Sequence, residues 1–426
     1  MVHQPNNPPQ LHARNLRRLP LLRTKPIRNG LAAPNPFSAT RFPAMIGSLG
    51  NVSPSLLLVG APVMGLLRRI IRRRFRGSVF RCFHCFGFLM LYDHGMYFGD
   101  VGFLRKFLGA VDAVLEYFAS RVDARVGMVG RFDSGSGNGG GDVWAFVDWT
   151  KEWSDPGPEK DFKNLAVPMA YRRGGVAAYN SLVYAYVLRK AAEMCEFVGR
   201  VGMAEEYRGR AGALNEAFVG SCLRRDGGDE EFFVDGPDSP DTERSQHVQV
   251  FAVLCGAVSG ERARRILRRA LSPGSREGYV RASYAMSFYV FEAAVQTGLY
   301  DELRDVLVQP WDEMVVMDLT TWAESVAMPR SDCHGWSAVP IYDVVANVVG
   351  LRPGGPGYRR IRSEPRQGGW QCFEGVFRVG GGEVKVSWVK GGGATLVTGF
   401  DGEVEVRDGE GYKVVEVKKG EVLTLS

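Results

Sequence analysis

The spacing of apolar positions divides the chain into three stretches. From about residue 89 to residue 350, apolar side chains recur every three or four residues, the period of one helix face. The first such run holds Phe103, Leu104, Phe107, Leu108, Val111, Val114, Leu115 and Phe118, with Asp100 placed to cap its start. Further helices are predicted over 176–199, 203–222, 243–258, 261–271, 283–297, 301–314 and 335–349. Several adjoin their successor across a short Gly break, as at Ser259-Gly260 and Gly298. Antiparallel helices joined by loops that short are αα-hairpins. Repeated hairpins without a sequence repeat of fixed period point to an α/α toroid or a solenoid, and away from tetratricopeptide or HEAT arrays.

After Pro353 the period changes to two. Segments 376–379, 383–389, 394–398, 403–407, 412–417 and 422–425 mostly alternate apolar and polar residues between Gly-rich turns. This pattern predicts a small antiparallel β-sandwich. Ahead of the helices no period is sustained. Residues 1–54 hold nine of the 22 prolines and read as disordered. The expected organisation is a basic leader over 1–85, a helical domain over 86–352 and a β domain over 353–426.

Charge sharpens the first boundary. The 426 residues carry a formal +6, but residues 1–92 contain no Asp or Glu and account for +14. The remaining 39 basic and 47 acidic side chains leave the body weakly acidic, which argues against nucleic acid as its partner. The leader has the Arg-rich, acid-free composition of a transit peptide without the amphipathic period. Its apolar run Leu56–Leu67 begins too late for a secretory signal and is shorter than the roughly 20 residues a membrane span needs. No transmembrane segment is therefore expected, and a cytoplasmic location is the default. Seven cysteines do not make a disulfide framework. Cys82 and Cys85 have the spacing of half a zinc knuckle, yet no second pair follows, so no metal site is expected. Oligomeric state leaves no mark in the pattern.

Candidate chemistry concentrates in Leu319–Pro340, which joins two predicted helices and so lies at one end of the hairpins. It offers the carboxylate Glu324, the imidazole of His334, and the indoles of Trp322 and Trp336. Indoles stack on the apolar faces of sugar rings while carboxylates bond the hydroxyls; the same residues also suit a structural loop with core tryptophans. Asp148-Trp149 repeats this pairing in a second loop, where an N-cap beside a core indole is the plainer reading. In 238–245, Asp241 or Thr242 is placed to cap the following helix. His247 and Gln249, further along it, point in different directions. Cys333 adjoins His334, but neighbours in sequence rarely form a nucleophile–base pair.

The order of the pieces carries a family likeness. Tyr97-Phe98-Gly99-Asp100 precedes a helix, and Phe146-Val147-Asp148-Trp149 follows. After the paired helices come Thr321-Trp322-Ala323-Glu324 and Asp332-Cys333-His334-Gly335-Trp336-Ser337. Gly350-Leu351-Arg352-Pro353 and Pro356-Gly357-Tyr358 then lead into the strands. Over residues 89–426 this resembles the α-L-rhamnosidase six-hairpin glycosidases. The resemblance implies a mainly α protein, an (α/α)6 toroid followed by a β-sandwich, and inverting hydrolysis of a rhamnose-containing or related glycoside without a cofactor. It implies Glu324 as the general base and Asp148, Trp149, Trp322, His334 and Trp336 as sugar-binding residues. The family's general acid lies upstream of the segment matching Tyr97–Asp100, where this chain has no carboxylate. About nine helices are predicted between residues 86 and 350, so roughly three of the twelve are expected to be missing from the front. The expectation is thus a truncated hydrolase or, alternatively, an inactive carbohydrate-binding or scaffold relative.

Overall fold

The computed structural model describes residues 82–132, 143–158, 160–228, 230–325, 331–409 and 411–425. The leader expected to be disordered, including its Arg cluster, lies outside the described residues apart from its last few positions. Helix α1 spans Cys82–Phe98, α2 Val101–Arg105 and α3 Leu108–Ala119. Asp100 caps α2 as expected, its Oδ1 accepting the Phe103 N–H at 2.8 Å. The single helix read from the apolar period is broken at Lys106-Phe107, where the Lys106 and Phe107 N–H groups turn back three residues to Phe103 and Leu104. Strands β1 (Val122–Asp123) and β2 (Met128–Val129) form a small hairpin, and α4 (Met169–Gly174) ends the connection that follows.

The remaining helices are α5 (Ala178–Val198), α6 (Val201–Cys222), α7 (Gln246–Leu254), α8 (Gly260–Leu271), α9 (Ser287–Gln296), α10 (Tyr300–Val316) and α11 (Val339–Asp343). Strands β3 (Leu223–Arg225) and β4 (Glu231–Phe233) pair between α6 and α7. Burial sorts the helices into two layers. All nine residues of α7 and fifteen of the 21 in α5 are buried, as in helices covered on every side. By contrast α6 buries only Ala204, Tyr207, Ala211, Leu214, Phe218 and Cys222, one stripe at three- and four-residue spacing. The inner helices pack on one another: α5 on α1 and α7, α7 on α9, and α9 on α11. Short turns at 99–100, 199–200, 255–259 and 297–299 join inner to outer helices at one end. The long connections 120–177, 223–245, 272–286 and 317–338 lie at the other.

Complete burial obliges the polar side chains of α7 to find partners. Gln246 donates to Ala270 O at 2.8 Å and accepts from the Ala282 N–H at 3.0 Å. Gln249 exchanges two hydrogen bonds with the Phe233 backbone at 3.0 and 2.8 Å. These bonds tie the long connections down onto the inner helix. The helix itself starts later than the sequence pattern suggests. Ser245, not Asp241 or Thr242, is its N-cap, because Ser245 also reaches the buried Asp235 at 2.6 Å.

The β region comprises two four-stranded sheets around one core. One runs β12-β9-β8-β7 and is antiparallel throughout, from β7 (Cys372–Val379), β8 (Gly382–Val389), β9 (Ala394–Thr398) and β12 (Val422–Leu425). The other runs β11-β10-β6-β5, from β5 (Leu351–Pro353), β6 (Arg360–Ser363), β10 (Gly402–Asp408) and β11 (Gly411–Val417). The sheets are antiparallel as expected except at one pairing, β6 with β10, which is parallel. The chain crosses to the first sheet after β6 and returns only at β10, which permits that direction. Strands β5 and β6 were not legible in the alternation, being three and four residues long.

Val384, Val386, Trp388 and Leu396 of one sheet face Ile361, Val404, Val406 and Val417 of the other. Val344, Val348 and Val349, from the wide turn after α11, join the same core. The sheets therefore seat on the short-turn end of the helices. Gly99 and Gly357 meet there backbone to backbone. Both have positive φ, and a Cβ on either would lie 3.0 Å from the other's Cα.

Candidate functional site

Two carboxylate–aromatic clusters occupy the long-connection end. In the first, residues 322–324 run beside residues 331–334. The Glu324 N–H donates to Ser331 O and the His334 N–H to Trp322 O, both at 2.8 Å. Ser337 Oγ donates to Ala323 O at 2.7 Å, and the indole of the buried Trp311 donates to Ser337 O at 2.7 Å. These bonds hold the two segments side by side, as a ladder, around a small polar site. Glu324 Oε2 lies 3.9 Å from His334 Nδ1, an ion-pair distance rather than a hydrogen bond. The Trp336 ring lies 4.1 Å from the His334 ring between centroids. Its Nε1 is buried without a hydrogen-bond partner among the described residues. Glu324 is nearly buried, whereas Trp322, His334 and Trp336 are half-buried and Asp332 and Cys333 are exposed. Sequence pattern and structure thus bring Trp322, Glu324, His334 and Trp336 into one place.

The second cluster centres on Asp148, which is 1% exposed. His247 Nε2 approaches its Oδ2 at 2.7 Å, the Ser283 N–H donates to Oδ2 at 2.8 Å, and Ser283 Oγ donates to Oδ1 at 2.5 Å. Both oxygens are therefore engaged by the protein. The other ring nitrogen, Nδ1, is buried without a hydrogen-bond partner among the described residues. The imidazole packs against Trp153 at 4.9 Å and against the edge of Tyr179 at 6.1 Å. Trp149 turns the other way. It meets Phe146 at 5.2 Å and Trp144 at 6.0 Å, both edge-on, and stays half-buried.

Asp148 is thus a three-way clamp joining the 143–150 loop, the start of α7 and the lead into α9. Sequence reasoning placed Asp148 in a site but missed both partners, since nothing local relates residue 148 to residues 247 and 283. A histidine between Gln246 and Gln249 at the start of a wholly buried helix was the available signal. The two clusters are neighbours through one aromatic contact: Tyr284, next to Ser283, lies 5.2 Å from Trp311 between ring centroids, and Trp311 carries the Glu324 ladder.

A third carboxylate faces the inner helices lower down. Asp93 on α1 lies near Lys190 of α5 and Glu292 of α9. Burial, with some help from Glu292, raises its pKa to about 7 against the opposing pull of Lys190. Glu292 is held by Arg352 through two hydrogen bonds of 2.8 and 2.9 Å. Among the described residues no three His, Cys, Asp or Glu side chains gather as metal ligands, and no helix is long and apolar enough to cross a membrane. Cys85 is buried in the core; the side chain of Cys82 lies outside the described residues. An open groove of about 900 Å³ between Arg189, Arg208, Asn215 and Gly256 runs along α6, and no residue of either cluster lines it.

No protein-family model and no curated protein sequence matches the chain. Solved structures do. A GH78 family rhamnosidase of Bacillus sp. GL1 aligns over 72% of this chain and 30% of its own, with 23% identity and a TM-score of 0.59. An α-L-rhamnosidase from Aspergillus terreus covers 79% of this chain and 38% of its own, with 18% identity and a TM-score of 0.57. The Streptomyces avermitilis α-L-rhamnosidase complexed with L-rhamnose covers 79% and 32%, with 18% identity and a TM-score of 0.56. The chain therefore has an α-L-rhamnosidase-like fold and spans about a third of the length of these relatives.

Proposed function

We propose that this chain carries the rear part of an inverting α-L-rhamnosidase-like active site, with Glu324 as the general base. The observation that carries the reading is the hydrogen-bonded ladder that holds Glu324 against His334 and Trp336 at the long-connection end of this fold. A base must be ionised and fixed in place. Here His334 Nδ1 stands 3.9 Å from the carboxylate, and the paired segments fix the backbone that carries both residues. In the reaction, water gives its proton to Glu324 as it attacks the anomeric carbon, and a second carboxyl about 6.5–9.5 Å away protonates the leaving oxygen. Trp149, Trp322 and Trp336 offer ring faces for the apolar side of a rhamnose. The unpaired Trp336 Nε1 and the His334 imidazole offer hydrogen bonds to its hydroxyls. Asp148 supports the wall from behind through His247 and Ser283.

A second reading, a relative that binds the sugar without cleaving it, is favoured by the state of Asp148. A carboxylate that accepts three hydrogen bonds in the core is a poor proton donor, so it does not stand in for the acid. Hydrolysis of an aryl α-L-rhamnoside by the purified chain decides between the two. Turnover that falls about 10²–10⁴-fold in Glu324→Gln supports the base assignment; an unchanged rate overturns it. Rhamnose binding that is lost in Trp322→Ala, with no turnover at any pH, establishes the binding protein instead.

A further inference from the structure

Residues 244–247 and 279–283 run side by side. The Val280 N–H donates to Arg244 O and the Gln246 N–H to Val280 O, both at 2.9 Å, making a parallel bridge between Ser245 and Val280. The later ends of this pair carry His247 and Ser283, the two partners of Asp148. The earlier ends carry Arg244 and Tyr279, which the clamp does not use. The Arg244 guanidinium carbon lies 4.8 Å from the ring centroid of Phe232 and 4.7 Å from that of Tyr279. Aromatic faces hold a guanidinium in place but accept none of its hydrogen bonds in the plane.

Among the described residues, no carboxylate pairs with Arg244, and its Nε is buried without an acceptor. The Tyr279 hydroxyl beside it is also buried and unpartnered, on a side chain only 4% exposed. The nearby carboxylates are committed elsewhere, for Asp226 and Glu230 both pair with Arg269, at 2.5 and 3.3 Å. Gly278, with φ of +82°, keeps the backbone clear of the guanidinium; a Cβ there would lie 3.1 Å from Arg244 Nη2. Arg244 remains part-exposed, so a solute can reach it.

We propose that Arg244 and Tyr279 form a binding site for an oxyanion group, a carboxylate, sulfate or phosphate. The guanidinium supplies a planar fork of donors and the phenol a further one, the set that such groups accept. Tyr279 precedes Ser283 by four residues, a reach of at most roughly 13 Å at about 3.3 Å per residue. The anion is either free or borne by an acidic neighbour of the glycoside, and the second source rests on the hydrolase reading above.

Melting curves of the full chain at constant ionic strength, with inorganic phosphate replacing chloride, test the site without reference to activity. Saturable stabilisation is expected, with the apparent affinity about tenfold weaker in Arg244→Gln and several-fold weaker in Tyr279→Phe. The second variant removes only an unpaired hydroxyl, so it folds at least as well as the parent. Calorimetric titration with methyl α-L-rhamnoside and with a rhamnoside of a uronic acid then separates the sources. Tighter binding of the acidic ligand, lost in Arg244→Gln, identifies a glycan-borne carboxylate; phosphate binding without that preference identifies a free anion. Phosphate effects identical in parent and both variants, or absent together with any preference for the acidic ligand, overturn the site. Failure of both rhamnosides while phosphate still binds sinks the hydrolase reading and leaves the anion site standing.

Discussion

Asp148 and Glu324 look alike in the sequence, each a carboxylate within two residues of an indole in a long connection. The structure treats them differently. Asp148 spends both oxygens on His247 and Ser283 and is sealed from water. Glu324 has its backbone bound on a ladder and its carboxylate set at ion-pair distance from one imidazole. The first arrangement joins three chain segments through one side chain; the second pairs the backbone on either side of Glu324 and His334. Local chemistry is therefore not enough to tell how a carboxylate is used, because the partners that distant segments deliver to it decide its surroundings.

The largest expected effect breaks the clamp. Asp148→Ala leaves a buried imidazole and a buried hydroxyl without their acceptor and should cost about 3–5 kcal/mol, read as a fall in denaturation midpoint. A loss below about 1 kcal/mol would remove the contrast with Glu324. The mirror experiment is Glu324→Gln, which keeps shape and should change stability by less than about 1 kcal/mol while it lowers any rhamnosidase rate. Unfolding of that variant would make Glu324 a second clamp.

Asp93 supplies a third carboxylate against which to set the other two, one destabilised by its surroundings. Its folded-state pKa of about 7 stands above the ordinary 3.8, so the folded chain binds this proton more tightly than the unfolded chain does. Below the ordinary value the group costs nothing; the penalty grows as pH rises to about 7 and is constant beyond. Asp93→Asn should therefore raise stability by about 2–4 kcal/mol at pH 8, after allowance for partial exposure, and by nothing at pH 3. A gain that is equal at both pH values would place the cause in packing. The smallest effect belongs to Trp336→Phe, which keeps the ring contact with His334 and deletes the unpaired N–H. Stability should stay within about 1 kcal/mol of the parent, while rhamnose affinity falls severalfold if that N–H meets a hydroxyl.

The hairpin series and the switch to alternation near residue 350 were legible because they depend on periodicity, which burial on one face imposes residue by residue. The Asp100 cap was legible because it needs only the next three residues. The breaks that escaped notice have longer-range causes. Ser245 displaces Asp241 and Thr242 as a cap because the buried Asp235 binds its hydroxyl. Strands β5 and β6 have too few residues to show a period; β10 returns beside β6, and β6 pairs in turn with β5. In the candidate site, Trp322, Glu324, His334 and Trp336 could be grouped in advance because they lie within fifteen residues of one another. His247 and Ser283 could not be matched to Asp148, from which they are 99 and 135 residues away.

What this amino-acid sequence determined by itself was therefore everything set by nearest neighbours along the chain: which segments are helices, which are strands, where apolar faces lie, and that an acid-free leader precedes a weakly acidic body. Only the tertiary structure decided which carboxylate is clamped between distant segments, which stands beside His334, and which has its pKa raised by burial. The physical reason is that a charge is tuned by the donors and the low-dielectric walls within a few ångströms of it. Folding, not sequence order, brings those to Asp148, Glu324 and Asp93.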